Sequence, residues 1–77
     1  MGIVHREDGF RFGMWSNDHE PPHVHVYNGD GEAVIEIRTL AVRRYVGMKP
    51  KDVVKAVWIV AEQAEKLLEE WRRLHGS

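Results

Sequence analysis

Residues 18–25 read Asp-His-Glu-Pro-Pro-His-Val-His, so a short stretch holds three imidazoles and two carboxylates beside two prolines. His23 and His25 are separated by one residue. On an extended strand they leave the same face about 6 to 7 Å apart at Cα, close enough to share an ion that takes imidazole nitrogen at about 2.0 to 2.1 Å. His19 completes a candidate ligand set of His19, His23 and His25, with Asp18 or Glu36 as a further ligand or as the group that orients a ring. The chain has no cysteine, which excludes disulfides, thiolate metal sites and cysteine nucleophiles. The implied cofactor is therefore a divalent metal such as zinc, held by nitrogen and oxygen.

The same residues allow a second chemistry. His23 and His25 can divide acid and base roles on a phosphodiester, with Glu36 and Arg38 in support and Arg11 nearby, as in a histidine-dependent ribonuclease that works with or without a metal. In the plainest reading the histidines are surface strand residues hydrogen-bonded to loop carbonyls. Residue types and spacing leave all three open.

The elements that must position these groups follow from the pattern around them. Phe10-Arg11-Phe12-Gly13-Met14-Trp15 alternates and reads as a strand closed by Ser16-Asn17-Asp18. His23 to Tyr27 is a second strand, Asn28-Gly29-Asp30-Gly31 a hairpin turn, and Ala33 to Arg38 a third strand. Residues 39–49 either extend the sheet or form a turn. If Phe10, Phe12, Met14, Val24, Val26, Ala33, Ile35 and Ile37 face the core, His23, His25 and Tyr27 face away from it, and Trp15 falls on the histidine side. A two-residue turn pairs His23 with Glu36 and His25 with Val34. A four-residue loop instead pairs His25 with Glu36 and His23 with Arg38. Either register sets Glu36 beside a histidine.

From Pro50 the chain reads as one long helix: proline suits the first helical position, Asp52 sits in the first turn, and Gly76 can close the far end. Val53, Val57, Val60, Ala64, Leu67, Trp71 and Leu74 form one apolar stripe. The first half is more apolar and should be the more deeply buried, with Trp58 and Trp71 as packing residues. A helix of about 24 residues is roughly 36 Å long and should overhang a small sheet, leaving its far end for self-association or a partner. His5 and His75 read as tail residues outside any site.

These elements imply an α+β fold: a small antiparallel sheet of three or four strands with one long C-terminal helix packed on one face. One domain of 77 residues would comprise an N-terminal segment at 1–9, sheet and connector at 10–49, and helix at 50–75. Net charge is −1, yet residues 38–55 hold six basic side chains (Arg38, Arg43, Arg44, Lys49, Lys51, Lys55) against Asp52 alone. That segment is either a solvated connector or a surface for RNA or an acidic protein. There is no apolar run of signal-peptide type and none near the roughly 20 residues of a membrane span, so the expected location is cytoplasmic with no membrane partner.

The run FRFGMWSNDHEPPHVHVYNGDGEAVIEI, followed by a basic connector and a helix carrying LLEEW, resembles the small prokaryotic family catalogued as domain of unknown function 4160. The resemblance spans about residues 10–74 and places the family motif on Glu20, Pro21, Pro22, His23 and His25, with Trp71 as its late tryptophan. Gly13 and Met14 stand where many relatives have bulkier aromatics. Genes of this family often stand beside a second small gene, an arrangement similar to toxin–antitoxin pairs. The resemblance therefore implies an interaction component of a two-gene module, whose partner is the small cognate protein of the neighbouring gene.

Overall fold

The computed structural model describes residues 2–76 and has five strands and two helices. β1 (Gly2–Glu7), β2 (Phe10–Met14), β3 (His23–Asn28), β4 (Gly31–Glu36) and β5 (Val42–Val46) form one antiparallel meander in chain order. α1 (Pro50–Glu62) and α2 (Ala64–His75) follow. The α+β class holds, but the sheet is larger than three or four strands and the helix is two segments.

The two additional strands come from weak signals. Glu7 pairs with Phe10 across Asp8-Gly9, whose φ values of 53° and 82° are those of a tight hairpin turn. This turns the expected N-terminal segment into an edge strand. β5 pairs with β4 over Glu32 to Ile35 with a register shift, and every residue in it is exposed. Such a strand lacks the buried alternation that sequence reading depends on.

The β3–β4 turn takes the shorter register: Asn28 pairs with Gly31, Val26 with Ala33 and His23 with Glu36. Gly29 supplies the positive φ of 60° within the turn. Gly31 is needed for another reason, because a Cβ there would fall on the Gly47 carbonyl as the chain leaves β5.

All eight sheet positions expected to face the core are buried, and they pack with Met48, Val53, Ala56, Ile59, Val60, Leu67 and Trp71. The helical stripe meets that face. At Gln63 (φ −101°, ψ 14°) the helix changes segment, while Gln63 N–H still donates to Ile59 O and Leu67 N–H to Gln63 O, both at 2.9 Å. No glycine or proline marks this position in the sequence. Gly76, in the left-handed conformation, ends α2 as expected.

Two expectations about the helix are corrected. Trp58 is 69% exposed, so it is not a packing residue, and Val54 beside it is 56% exposed. Nor does the far end stand clear of the sheet. Lys66 Nζ donates to His5 Nδ1 at 2.9 Å, and Trp71 and His75 close over the segment before β3. Among the described residues, no helix is long and apolar enough to cross a membrane.

Replacing Gly31 with alanine forces backbone apart at the β3–β4 turn, so Gly31→Ala should cost about 1 to 3 kcal/mol in urea unfolding. Gly29→Ala has open space around its Cβ and should lose only about 1 kcal/mol, the backbone cost of positive φ.

Candidate metal centre

β3 presents His23 and His25 on the sheet face opposite the main core, as strand alternation requires. They are not on open surface. His23 is 5% exposed, because the last turns of α2 reach the start of β3 and lay the Trp71 ring 5.2 Å from its imidazole. Trp15 stands edge-on to His25 at 5.3 Å and to Tyr27 at 6.1 Å. Gly13 makes room for that indole: a Cβ at Gly13 would lie 2.5 Å from the Trp15 ring. The small residue in this strand is thus matched by tryptophan packed above it, and both Gly13 and Met14 are buried.

The segment between β2 and β3 brings in Asp18. Its backbone N–H donates to Trp15 O, and its Oδ2 accepts from Trp15 N–H, each at 3.0 Å. This closed turn aims Oδ1 at the histidines. Oδ1 lies 3.3 Å from His25 Nε2 and 3.6 Å from His23 Nε2, and the three ligand atoms all lie within 4.8 Å of one another. A tetrahedral ion with bonds of about 2.0 to 2.1 Å holds its ligand atoms roughly 3.3 Å apart, close to the two distances from Asp18 Oδ1.

The other ring nitrogens are held from outside. His23 Nδ1 lies 2.9 Å from Pro21 O; a carbonyl only accepts, so Nδ1 carries the proton and the Nε2 lone pair faces inward. His25 Nδ1 lies 3.0 Å from Glu32 Oε2, so a carboxylate fixes the orientation of this ring. Asp18 Oδ1 is within hydrogen-bonding reach of His25 Nε2, so the inner nitrogens and the carboxylate converge on one small space. Burial alone would raise the Asp18 carboxyl, but hydrogen bonds from Trp15 N–H and His25, with the charges of His25 and His23, outweigh it and hold the group below the usual carboxylate range. Burial pushes the Tyr27 phenol up, reinforced by Glu32 and Asp18.

The expected residues distribute unevenly. His23 and His25 are brought together, while His19 is exposed and lies outside the convergent group; the adjacent Asp18 occupies that role. Glu36 pairs with His23 along the strand, yet its carboxylate accepts from Arg43 Nε and Thr39 Oγ1, both at 3.1 Å. The Arg43 hydrogen bond, then that of Thr39, holds the Glu36 carboxyl below its ordinary value. Arg38 is exposed beyond the end of β4. Glu32, four residues before Glu36 on the same face, was missed by sequence reasoning; in the two-residue register it stands opposite Tyr27, diagonal to His25.

The terminal residues also take part. His75 bridges two carbonyls, with Nδ1 2.9 Å from Trp71 O and Nε2 3.1 Å from Asp18 O, and its ring stacks on Trp71 at 3.9 Å. Trp71 Nε1–H donates to Glu20 Oε2 at 3.1 Å. The expectation that His75 is a free tail residue is therefore corrected, because the helix is long enough to return to the site. His5 is likewise engaged, between Glu7 and Lys66.

Comparison with the curated proteins and with the solved structures finds no match. One family model matches residues 9–72, described as a domain of unknown function (DUF4160).

With chelator present throughout, Asp18→Ala should lower unfolding stability by about 1 to 3 kcal/mol, since the Trp15 N–H loses its acceptor. Asp18→Asn, which keeps an oxygen there, should recover most of that loss in the same denaturation experiment.

Proposed function

Because the chain belongs to the domain-of-unknown-function family DUF4160, whose description assigns no reaction, we propose a function from the site itself: the protein binds a divalent metal through Asp18, His23 and His25. The observation that carries this reading is the inward convergence of two Nε2 atoms and Asp18 Oδ1, with both Nδ1 atoms facing outer acceptors. Nitrogen and carboxylate donors at tetrahedral spacing suit zinc, and geometry rather than affinity must select it over copper. Three protein ligands leave a position for water, which a bound zinc ion acidifies. The ligand side chains are only 6%, 14% and 17% exposed for His23, Asp18 and His25. Their enclosure favours an ion that fastens the 15–22 segment to β3 and the end of α2.

In titration calorimetry, untagged protein should take up one zinc ion per chain, and its stability should rise by about 2.7 kcal/mol when free metal is 100 times the dissociation constant. His23→Ala, His25→Ala and Asp18→Ala should each lose the binding, whereas His19→Ala and Glu36→Gln should keep it. A wild-type chain that binds no zinc would mean that a proton, not a metal, sits between the lone pairs.

A second reading is favoured by β5. This edge strand has an open backbone side, exposed Val42, Tyr45 and Val46, and the adjacent cations Arg43 and Arg44. It supports an interaction role, and the family resemblance supplies the candidate partner, the product of a neighbouring gene in a toxin–antitoxin-like pair. Coexpression of both genes tests it: Arg43→Glu with Arg44→Glu should abolish co-purification, and the His23→Ala chain should still be retained.

A further inference from the structure

The most exposed large apolar side chain among the described residues, Trp58, lies in the middle of α1 on the side away from the sheet. At 100° per residue, Val54, Trp58 and Ala61 form a ridge opposite the buried Val53, Ala56, Ile59 and Val60. Neither the metal centre nor the β5 edge uses this ridge. Its charges are sorted by end: Lys51 and Lys55 precede Trp58, and Glu62 and Glu65 follow it. Lys51 and Lys55 are like charges four residues apart, and Glu62 and Glu65 are like charges three apart, both unfavourable on a helix. Among the described residues none of the four forms an ion pair, although other α2 side chains do.

We infer that two copies of this chain pair through the outer ridge of α1, antiparallel about a two-fold axis at Trp58. Lys51 stands seven residues before Trp58 and Glu65 seven after it, so reversal sets Lys51 against Glu65 of the partner subunit. Val54, four before, meets Glu62 of the partner subunit, whose carboxylate also reaches Lys55. Each contact occurs twice, as a self-complementary interface requires. A parallel arrangement would instead oppose lysine to lysine and glutamate to glutamate. The hydrogen bonds on either side of Gln63 carry α1 into α2 with that single residue between them, so Glu65, in the first turn of α2, follows directly on the ridge. A single-helix contact buries less than the roughly 800 Å² per partner of a standard interface, so the dimer is weak and forms at micromolar concentration or above.

Sedimentation velocity on the full chain in chelator, across micromolar to high-micromolar concentration, tests the pairing separately from metal binding. The wild-type chain should shift from monomer to dimer as concentration rises. Trp58→Ser should remain monomeric with an unchanged circular dichroism spectrum, since the side chain is exposed. Lys51→Glu with Lys55→Glu should weaken the dimer about tenfold or more, and adding Glu62→Lys with Glu65→Lys should restore it. A wild-type chain that stays monomeric, a Trp58→Ser chain that dimerises like wild type, or a fourfold charge swap that fails to restore pairing would overturn the inference.

Discussion

The Asp18 carboxylate and carbonyl are where three distant parts of the chain meet. One carboxylate oxygen closes the turn on Trp15, the other faces both imidazoles, and the backbone carbonyl accepts from the last turn of α2. The turn, the strand and the helix end are therefore mutually positioned by one residue. Its charge also matters. The anionic Oδ1 stands 3.3 Å from His25 Nε2 and 3.6 Å from His23 Nε2, and the outer partners of each ring, Pro21 O and Glu32, keep the imidazoles from turning away.

The surrounding packing protects that arrangement. Gly13 lets Trp15 lie over β2 beside His25, and Trp71 tilts over His23 while its N–H is satisfied by Glu20. Aromatic contacts of this kind contribute about 0.5 to 1.5 kcal/mol each beyond area burial. They also lower the local dielectric, which raises the cost of an unbalanced charge and strengthens the polar contacts among Asp18, His23 and His25. The sheet separates two tasks: one face builds the hydrophobic core, and the other presents polar groups in rows set by the β3–β4 register.

Much of this was legible because strand alternation is a strong constraint. Val24 and Val26 inward implied His23 and His25 outward together, and the eight core positions followed from the same rule. The cluster's location was therefore readable, but its full membership was not. His19 and Asp18 are equally plausible donors by type, and only the turn on Trp15 selects Asp18. Both registers set Glu36 beside a histidine, yet Arg43 and Thr39 on the next segment hold its carboxylate. β1 was hidden because it lacks clear apolar alternation, although Asp8-Gly9 directly after it was a turn signal.

By itself the sequence determined the α+β class, the buried faces of the central strands, the apolar stripe of the helix and the convergence of two histidines on one side of the sheet. These depend on local periodicity and on turn residues with specific backbone preferences. Tertiary structure alone decided that Asp18 joins the histidines, that Glu32 orients His25, that α2 returns to cover the site, and that Trp58 stays out of the core. Such outcomes depend on where a helix ends relative to a loop many residues away, and on which of several competing donors reaches a carboxylate first. No short stretch of chain encodes those distances.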